Sequence, residues 1–216
     1  MDTASTLLQQ ISQGNALLRQ GRIPEAVAFG NALAEDFPGQ SRAYAFAAEA
    51  SNVSGDLPTA LAWIDRAIES GDDPQHKVKK AWLLSRSLRR DEIRALAEEV
   101  AMQAEGDGRL LWQVGKLYYH HNFLPQAIAQ YERALAVVGD NSSWRYDLAI
   151  ARFYAGDAVR AEQDLNKVLV ATPQAGAVIY LRSTLARQGQ GSNHVADIEA
   201  RLKTGFRKAE DEACAL

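Results

Sequence analysis

With 216 residues, 47% of them apolar, the chain can build a sizeable core and is too apolar for a disordered segment. Its formal charge of −3 gives no general attraction to nucleic-acid phosphates, and no apolar run reaches the ~18 residues of a membrane span. The one cysteine, Cys214, excludes an internal disulfide, and Met1-Asp2-Thr3-Ala4-Ser5 lacks the basic and apolar regions of a secretory leader, so a cytoplasmic location is expected.

Along the chain, apolar residues recur at helical spacing almost throughout, and strand-like alternation is absent. Breaks recur at Gly21-Arg22-Ile23-Pro24, Phe37-Pro38-Gly39, Gly55-Asp56-Leu57-Pro58, Gly71-Asp72-Asp73-Pro74 and Gly106-Asp107-Gly108. Further breaks follow at Asn122-Phe123-Leu124-Pro125, Gly139-Asp140-Asn141-Ser142, Gly156-Asp157 and Thr172-Pro173. They predict helix pairs over about 4–36, 41–70, 75–105, 109–138 and 143–171. A sixth pair is expected from about 175 to a stop near Gly189, then from a cap at Ser192 or Asn193 through Thr204. A further helix is expected over about 208–216. The expected organisation is five repeats in 1–173, a sixth, capping-like pair in 174–205, and the start of another helix in 206–216. That last stretch ends without the polar outer face of a terminal repeat, so the chain is expected to be the N-terminal part of a longer protein.

The strongest pattern is a register of alanines: Ala26, Ala60, Ala95, Ala127 and Ala161, spaced 34, 35, 32 and 34 residues apart. Five residues before them stand Gly21, Gly55, Arg90, Asn122 and Gly156. Twelve before stand Gly14, Ala48, Leu83, Gly115 and Ala149, and seven after stand Leu33, Ala67, Met102, Ala134 and Val168. Small residues at such positions let two helices approach closely, and glycine suits the tight turn between them. On this alignment the third unit departs, because Leu83 and Arg90 stand where small residues are expected.

The pattern resembles the tetratricopeptide repeat. The fourth unit carries it best, through Val114-Gly115, Tyr118, Ala127-Ile128, Tyr131 and Ala134-Leu135; the fifth follows with Leu148-Ala149, Gly156, Ala161, Leu165, Val168-Leu169 and Pro173. The resemblance implies an all-α, right-handed superhelical solenoid of antiparallel helix pairs, with a degenerate third pair. It also implies that the first helix of each pair lines a concave groove that holds a protein or peptide. Counting each register alanine as position 20, the inward positions 2, 5, 9 and 12 are Leu8, Ile11, Asn15 and Leu18 in the first unit. They are Arg42, Ala45, Glu49 and Asn52 in the second, and Lys77, Lys80, Leu84 and Ser87 in the third. The fourth gives Arg109, Trp112, Lys116 and Tyr119; the fifth gives Ser143, Tyr146, Ile150 and Phe153. Lys80, Arg109, Trp112, Lys116, Tyr119 and Tyr146 are therefore the candidate peptide-binding residues, rings and cations suited to a segment with apolar and acidic side chains. The chaperone-tail clamp that some members carry is matched only by Asn15, with Ile11, Phe46, Lys77 and Ala81 at its other places.

The segment Leu181-Arg182-Ser183 with Ser192 to Leu202 resembles the junction between repeats and a sulfotransferase domain in bacterial fusion proteins. It implies that the chain is the non-catalytic arm of such an enzyme, with the nucleotide-binding half outside 1–216. Self-association through the terminal helices is a third alternative.

Catalytic chemistry is not expected. His120 and His121 are adjacent on a helix, hence about 100° apart, and suit a helix end rather than a shared metal. Asp72-Asp73 and Asp91-Glu92 sit before helices, where acids complement the dipole, and Cys214 has no identified partner for a nucleophile. No catalytic residue, metal ligand or cofactor is assigned.

Overall fold

The computed structural model describes residues 3–87, 89–185, 189 and 193–216. Among them there are 13 α-helices and no strand, so the all-helical expectation holds. The cap expected at Ser192 lies outside the described residues, as does most of the stretch where the preceding helix was expected to end. The chain forms two compact units, Met1–Gln103 and Ala104–Leu216.

The first unit contains α1 (Thr3–Arg19), α2 (Ile23–Asp36), α3 (Ser41–Ser54), α4 (Leu57–Glu69), α5 (Pro74–Leu84) and α6 (Arg90–Gln103), with a 3-10 turn at Ser85–Ser87. The second contains α7 (Gly108–His120), α8 (Leu124–Val138), α9 (Ser142–Tyr154), α10 (Ala158–Ala171), α11 (Gly176–Thr184), α12 (Val195–Thr204) and α13 (Ala209–Ala215). Within a unit most helices pack on their sequence neighbours, for example α3 on α4 and α7 on α8, whereas α11 packs on α10 and α13.

Local chemistry explains the boundaries. Prolines stand in the first turn of α2, α4, α5 and α8, where their missing N–H removes no helical bond. The Asp56, Asp73, Asp107, Asn141 and Asp157 side chains accept hydrogen bonds from backbone N–H groups in the first turns of α4, α5, α7, α9 and α10. The turn between paired helices repeats. Gly21, Gly55, Asn122 and Gly156 all have positive φ, and the next residue's N–H donates to a carbonyl five residues back: Arg22 to Leu17, Asp56 to Ser51, Phe123 to Tyr118, Asp157 to Arg152.

Four of the five register alanines, Ala26, Ala60, Ala127 and Ala161, are wholly buried, each three residues into the second helix of its pair. The fifth expectation fails. Ala95 is exposed, and Met102, seven residues on, is 75% exposed. The residue three positions into α6 is Ile93, which is 1% exposed. Counted on Ile93, the spacings become 34, 33, 34 and 34. The small residue twelve positions earlier becomes the buried Ala81 rather than Leu83, and the residue seven later becomes the buried Val100. The third unit therefore keeps the repeat length, an isoleucine takes the place of the methyl group that marks the other four, and a 3-10 turn, Ser85–Ser87, follows its first helix.

Elsewhere the crossings are close. A Cβ on Gly14 would lie 2.2 Å from the Phe46 ring, and one on Gly115 would lie 2.7 Å from the buried Tyr131 ring.

Candidate functional site

The two-residue correction matters because residues two apart on a helix point about 200° apart. Lys77 and Lys80, expected to face inward from α5, are both taken up by neighbouring helices. Lys80 Nζ lies 2.7 Å from Asp65 Oδ1 of α4, and Lys77 pairs with Glu99 of α6. Leu84, also expected inward, is wholly buried. The α5 residues that reach the open side are instead Gln75, His76, Lys79 and Trp82.

They meet α1 and α3 around two adjoining cavities of the first unit. The larger, about 270 Å³, is lined by Ala48, Glu49, Asn52, Lys79, Trp82, Leu83 and Arg86. The other, about 260 Å³, is lined by Leu8, Ile11, Asn15, Arg42, Ala45, Phe46, Glu49, Asp73, Gln75, His76 and Lys79. Glu49 and Lys79 border both. Six expected inward residues of the first two units, Leu8, Ile11, Asn15, Arg42, Ala45 and Glu49, thus gather at one cavity, and Asn52 lines its neighbour. The corrected register also replaces Lys77 and Ala81 at the chaperone-clamp places by Gln75 and Lys79. Asn15 and Lys79 then border one cavity, while Ile11, Phe46 and Gln75 supply none of the remaining clamp chemistry.

The cavity walls are mixed. Arg86 donates to Asn52 Oδ1 at 3.1 Å, which orders the amide. Among the described residues no carboxylate lies within ion-pair distance of Arg42 or Lys79. His76 is 4% exposed, and neither ring nitrogen has a hydrogen-bond partner. Burial pushes its pKa below the ordinary 6.5; Asp73 opposes the shift, and Lys79 and Arg42 add to it.

In the second unit the expected residues sit on two neighbouring helices. Trp112 of α7 stacks on Trp144 of α9, with centroids 5.4 Å apart and planes 11° from parallel. Its indole N–H donates to Asp147 Oδ2 at 2.8 Å, and Lys116 Nζ stands 4.7 Å above its ring. Burial raises the Asp147 pKa, and the Trp112 N–H and Lys116 charge lower it. Tyr119 meets Tyr154 at 6.1 Å, and these two help line a cavity of about 290 Å³. Burial raises the pKa of the half-buried Tyr119 and Tyr146, and Tyr146 packs against the core of α9, α10 and α11. Arg109 is exposed at the start of α7. Trp112, Lys116, Trp144 and Asp147 therefore form one cluster, in which Trp112 is already engaged by three protein groups.

Trp82, Lys79, Arg86, His76, Trp144 and Asp147 were not among the expected site residues. Trp82 was hidden by the alanine at 95, because the register counted on Ile93 puts it at an inward position, and the small residue at Ala81 was the signal that could have found it; Lys79, Arg86 and His76 lie off the four inward positions in either register. Among the described residues no cluster of three or more His, Cys, Asp or Glu is placed to hold a metal ion. His120 and His121, set aside above, meet edge to face with ring centroids 5.2 Å apart at the end of α7.

The sequence profile described as "Tetratricopeptide repeat" matches residues 11–75 and 115–176. A comparison with curated proteins yields no match. Solved structures resemble the fold at low identity. A structure titled as the functional characterisation of Pseudomonas aeruginosa PilF aligns with a TM-score of 0.69 at 16% identity, covering 97% of this chain and 96% of that one. A tetratricopeptide repeat protein from Parabacteroides merdae aligns at 0.66 and 13% identity, covering 98% of each chain. YrrB, titled as a protein of this repeat class with an unusual peptide-binding site, aligns at 0.60 and 16% identity, over 80% of this chain and 90% of its own.

Proposed function

The chain belongs to the tetratricopeptide repeat family, and from that membership we propose that it is a non-catalytic scaffold holding an extended segment of a partner protein against the first helices of its pairs. The observation that carries this reading is the pair of adjoining cavities bordered by α1, α3 and α5. They combine apolar floor (Leu8, Ile11, Phe46), amides (Asn15, Asn52, Gln75) and cations (Arg42, Lys79, Arg86). Apolar contact supplies affinity, amides pair with the bound backbone, and unpaired cations favour acidic side chains. The strip formed by Arg109, Trp112, Lys116, Tyr119 and Tyr146 in the second unit is a second candidate surface of the same kind. The division into five repeats in 1–173 and a capping pair in 174–205 belongs to this reading.

The test is capture from a displayed library of random extended peptides. Lys79→Ala is expected to weaken a captured peptide about fivefold, on the order of 1 kcal/mol. Lys80→Ala, whose ammonium serves Asp65, is expected to leave capture within about twofold. Equal losses in both variants, or no capture by the parent chain, would remove the assignment.

Two finer readings rest on other ground. Service as the arm of a sulfotransferase rests on the Leu181–Leu202 resemblance, and the coding frame beyond Leu216 decides it. Self-association draws support from the exposed Tyr180, Val195 and Leu216, and light scattering at high concentration decides that.

A further inference from the structure

His76 is the unusual group in the first unit. Its imidazole is buried against a cavity, yet neither nitrogen is hydrogen-bonded. A buried polar atom is costly to leave without a partner, so the two ring nitrogens are the groups at this cavity with open hydrogen-bonding capacity. The charged groups facing the ring are Arg42 from α3, Lys79 from α5 and Asp73 from the turn before α5, and Glu49 from α3 borders the same cavity. The charges on the other sides of α5 are already paired, Lys77 with Glu99 of α6 and Lys80 with Asp65 of α4. Two cations and two carboxylates therefore balance around a neutral imidazole, and a protonated one leaves a single positive charge. That surplus matches one carboxylate and not a dianion.

We propose that an Asp or Glu side chain of the bound segment enters the His76 cavity and that His76 takes up a solvent proton as it does so, making capture pH-dependent. The proton goes to an imidazole nitrogen, whose N–H then donates to the entering carboxylate; no covalent bond changes. A side-chain carboxylate fits better than a chain terminus because the adjoining Asn52–Trp82–Arg86 cavity extends the contact surface past this point. The inference rests on the groove reading above and adds its selectivity and its regulation.

The linkage has a definite sign. An anion beside the imidazole raises its pKa, so the complex binds one proton more than its separated parts. The added affinity is complete below the pKa of the unliganded ring and vanishes as pH rises through that of the liganded ring. Each unit between the two values is worth about tenfold in affinity.

The experiment selects displayed octapeptides at about pH 5.5 and measures one captured peptide, synthesised with an amidated C-terminus, at about pH 5.5 and pH 8. The expected peptides share an acidic residue, bind about tenfold more tightly at the lower pH, and lose this advantage when that residue becomes its amide. His76→Gln should bind the peptide at about pH 5.5 about tenfold more weakly than the parent chain does, and equally at both pH values. In the parent chain the His76 Cε1–H resonance should titrate to a higher pKa when peptide is added, a reading that needs no variant. Failure to capture any peptide removes the groove itself. Captured peptides without an acidic preference, loss of capture on amidation of the C-terminus, or an unmoved His76 resonance overturn the carboxylate inference while leaving the groove.

Discussion

Ile93 and Ala95 differ by two positions and by half a turn of exposure. Ile93 is 1% exposed at the α5–α6 crossing, whereas Ala95 faces solvent. Ile93→Ala is expected to leave a cavity and cost about 2–4 kcal/mol. Ala95→Gln is expected to change stability by no more than about 0.5 kcal/mol. Urea unfolding of both variants measures the difference, and a comparable loss in the two would restore the alanine register. His76 carries a second expectation. Its folded pKa lies below 6.5, so the unfolded chain binds the extra proton in acid. The contribution of the neutral ring is whole above about pH 6.5 and is lost as pH falls through the folded value. The thermal midpoint should therefore drop between pH 7 and 5 in the parent chain, and the drop should shrink in His76→Gln. The alanine spacing was readable from the chain, but alanine is common in helices, and one chance copy at 95 displaced a register that Ala81 and Val100 define better.

Helix α10 is held to α9 by a buried charge as well as by apolar packing. Asp164 is 2% exposed, accepts from Arg145 at 3.2 Å, and is paired also with Arg152, which reaches Glu132 of α8. Such a group imposes a geometry more than it adds stability, since desolvation offsets much of the attraction. At the far end, α13 packs against α11, where the Gly176 N–H donates to Asp211 Oδ1 at 3.0 Å. A Cβ on Gly176 would stand 2.1 Å from the Asp211 carbonyl oxygen. Gly176→Ala is thus expected to release α13 from α11, and faster amide exchange over 209–216 with unchanged exchange in α7–α10 is the signature. Ion pairs between helices and close backbone contacts between distant turns have no periodicity, so neither was legible in the sequence. The helix starts were, because proline in the first turn and Asp or Asn at the cap act within a few residues.

On the scale of the molecule, the net charge of −3 coexists with cavities in the first unit where Arg42, Lys79 and Arg86 stand beside Glu49 and Asp73. Attraction to an anion is consequently short-ranged and confined to the cavities, since exposed charges are screened beyond ~8 Å at physiological salt. A DNA duplex is expected to pass through unretained at physiological ionic strength while an acidic octapeptide is captured; retention of both would mean non-selective attraction. No helix among the described residues is long and apolar enough to cross a membrane.

Repeat length, helical content and the recurring turn followed from local preferences alone. Glycine or asparagine at a left-handed position, proline in a first turn and small residues every 34 or so positions each act through their own neighbours in the chain. The binding face needed the folded molecule. Whether Lys79 or Lys80 reaches the cavity depends on how far α5 is rotated about its axis, which is set by Ala81 and Ile93 packing across the helix pair. That rotation is a property of two helices in contact, and a single misread residue turns it by half a circle.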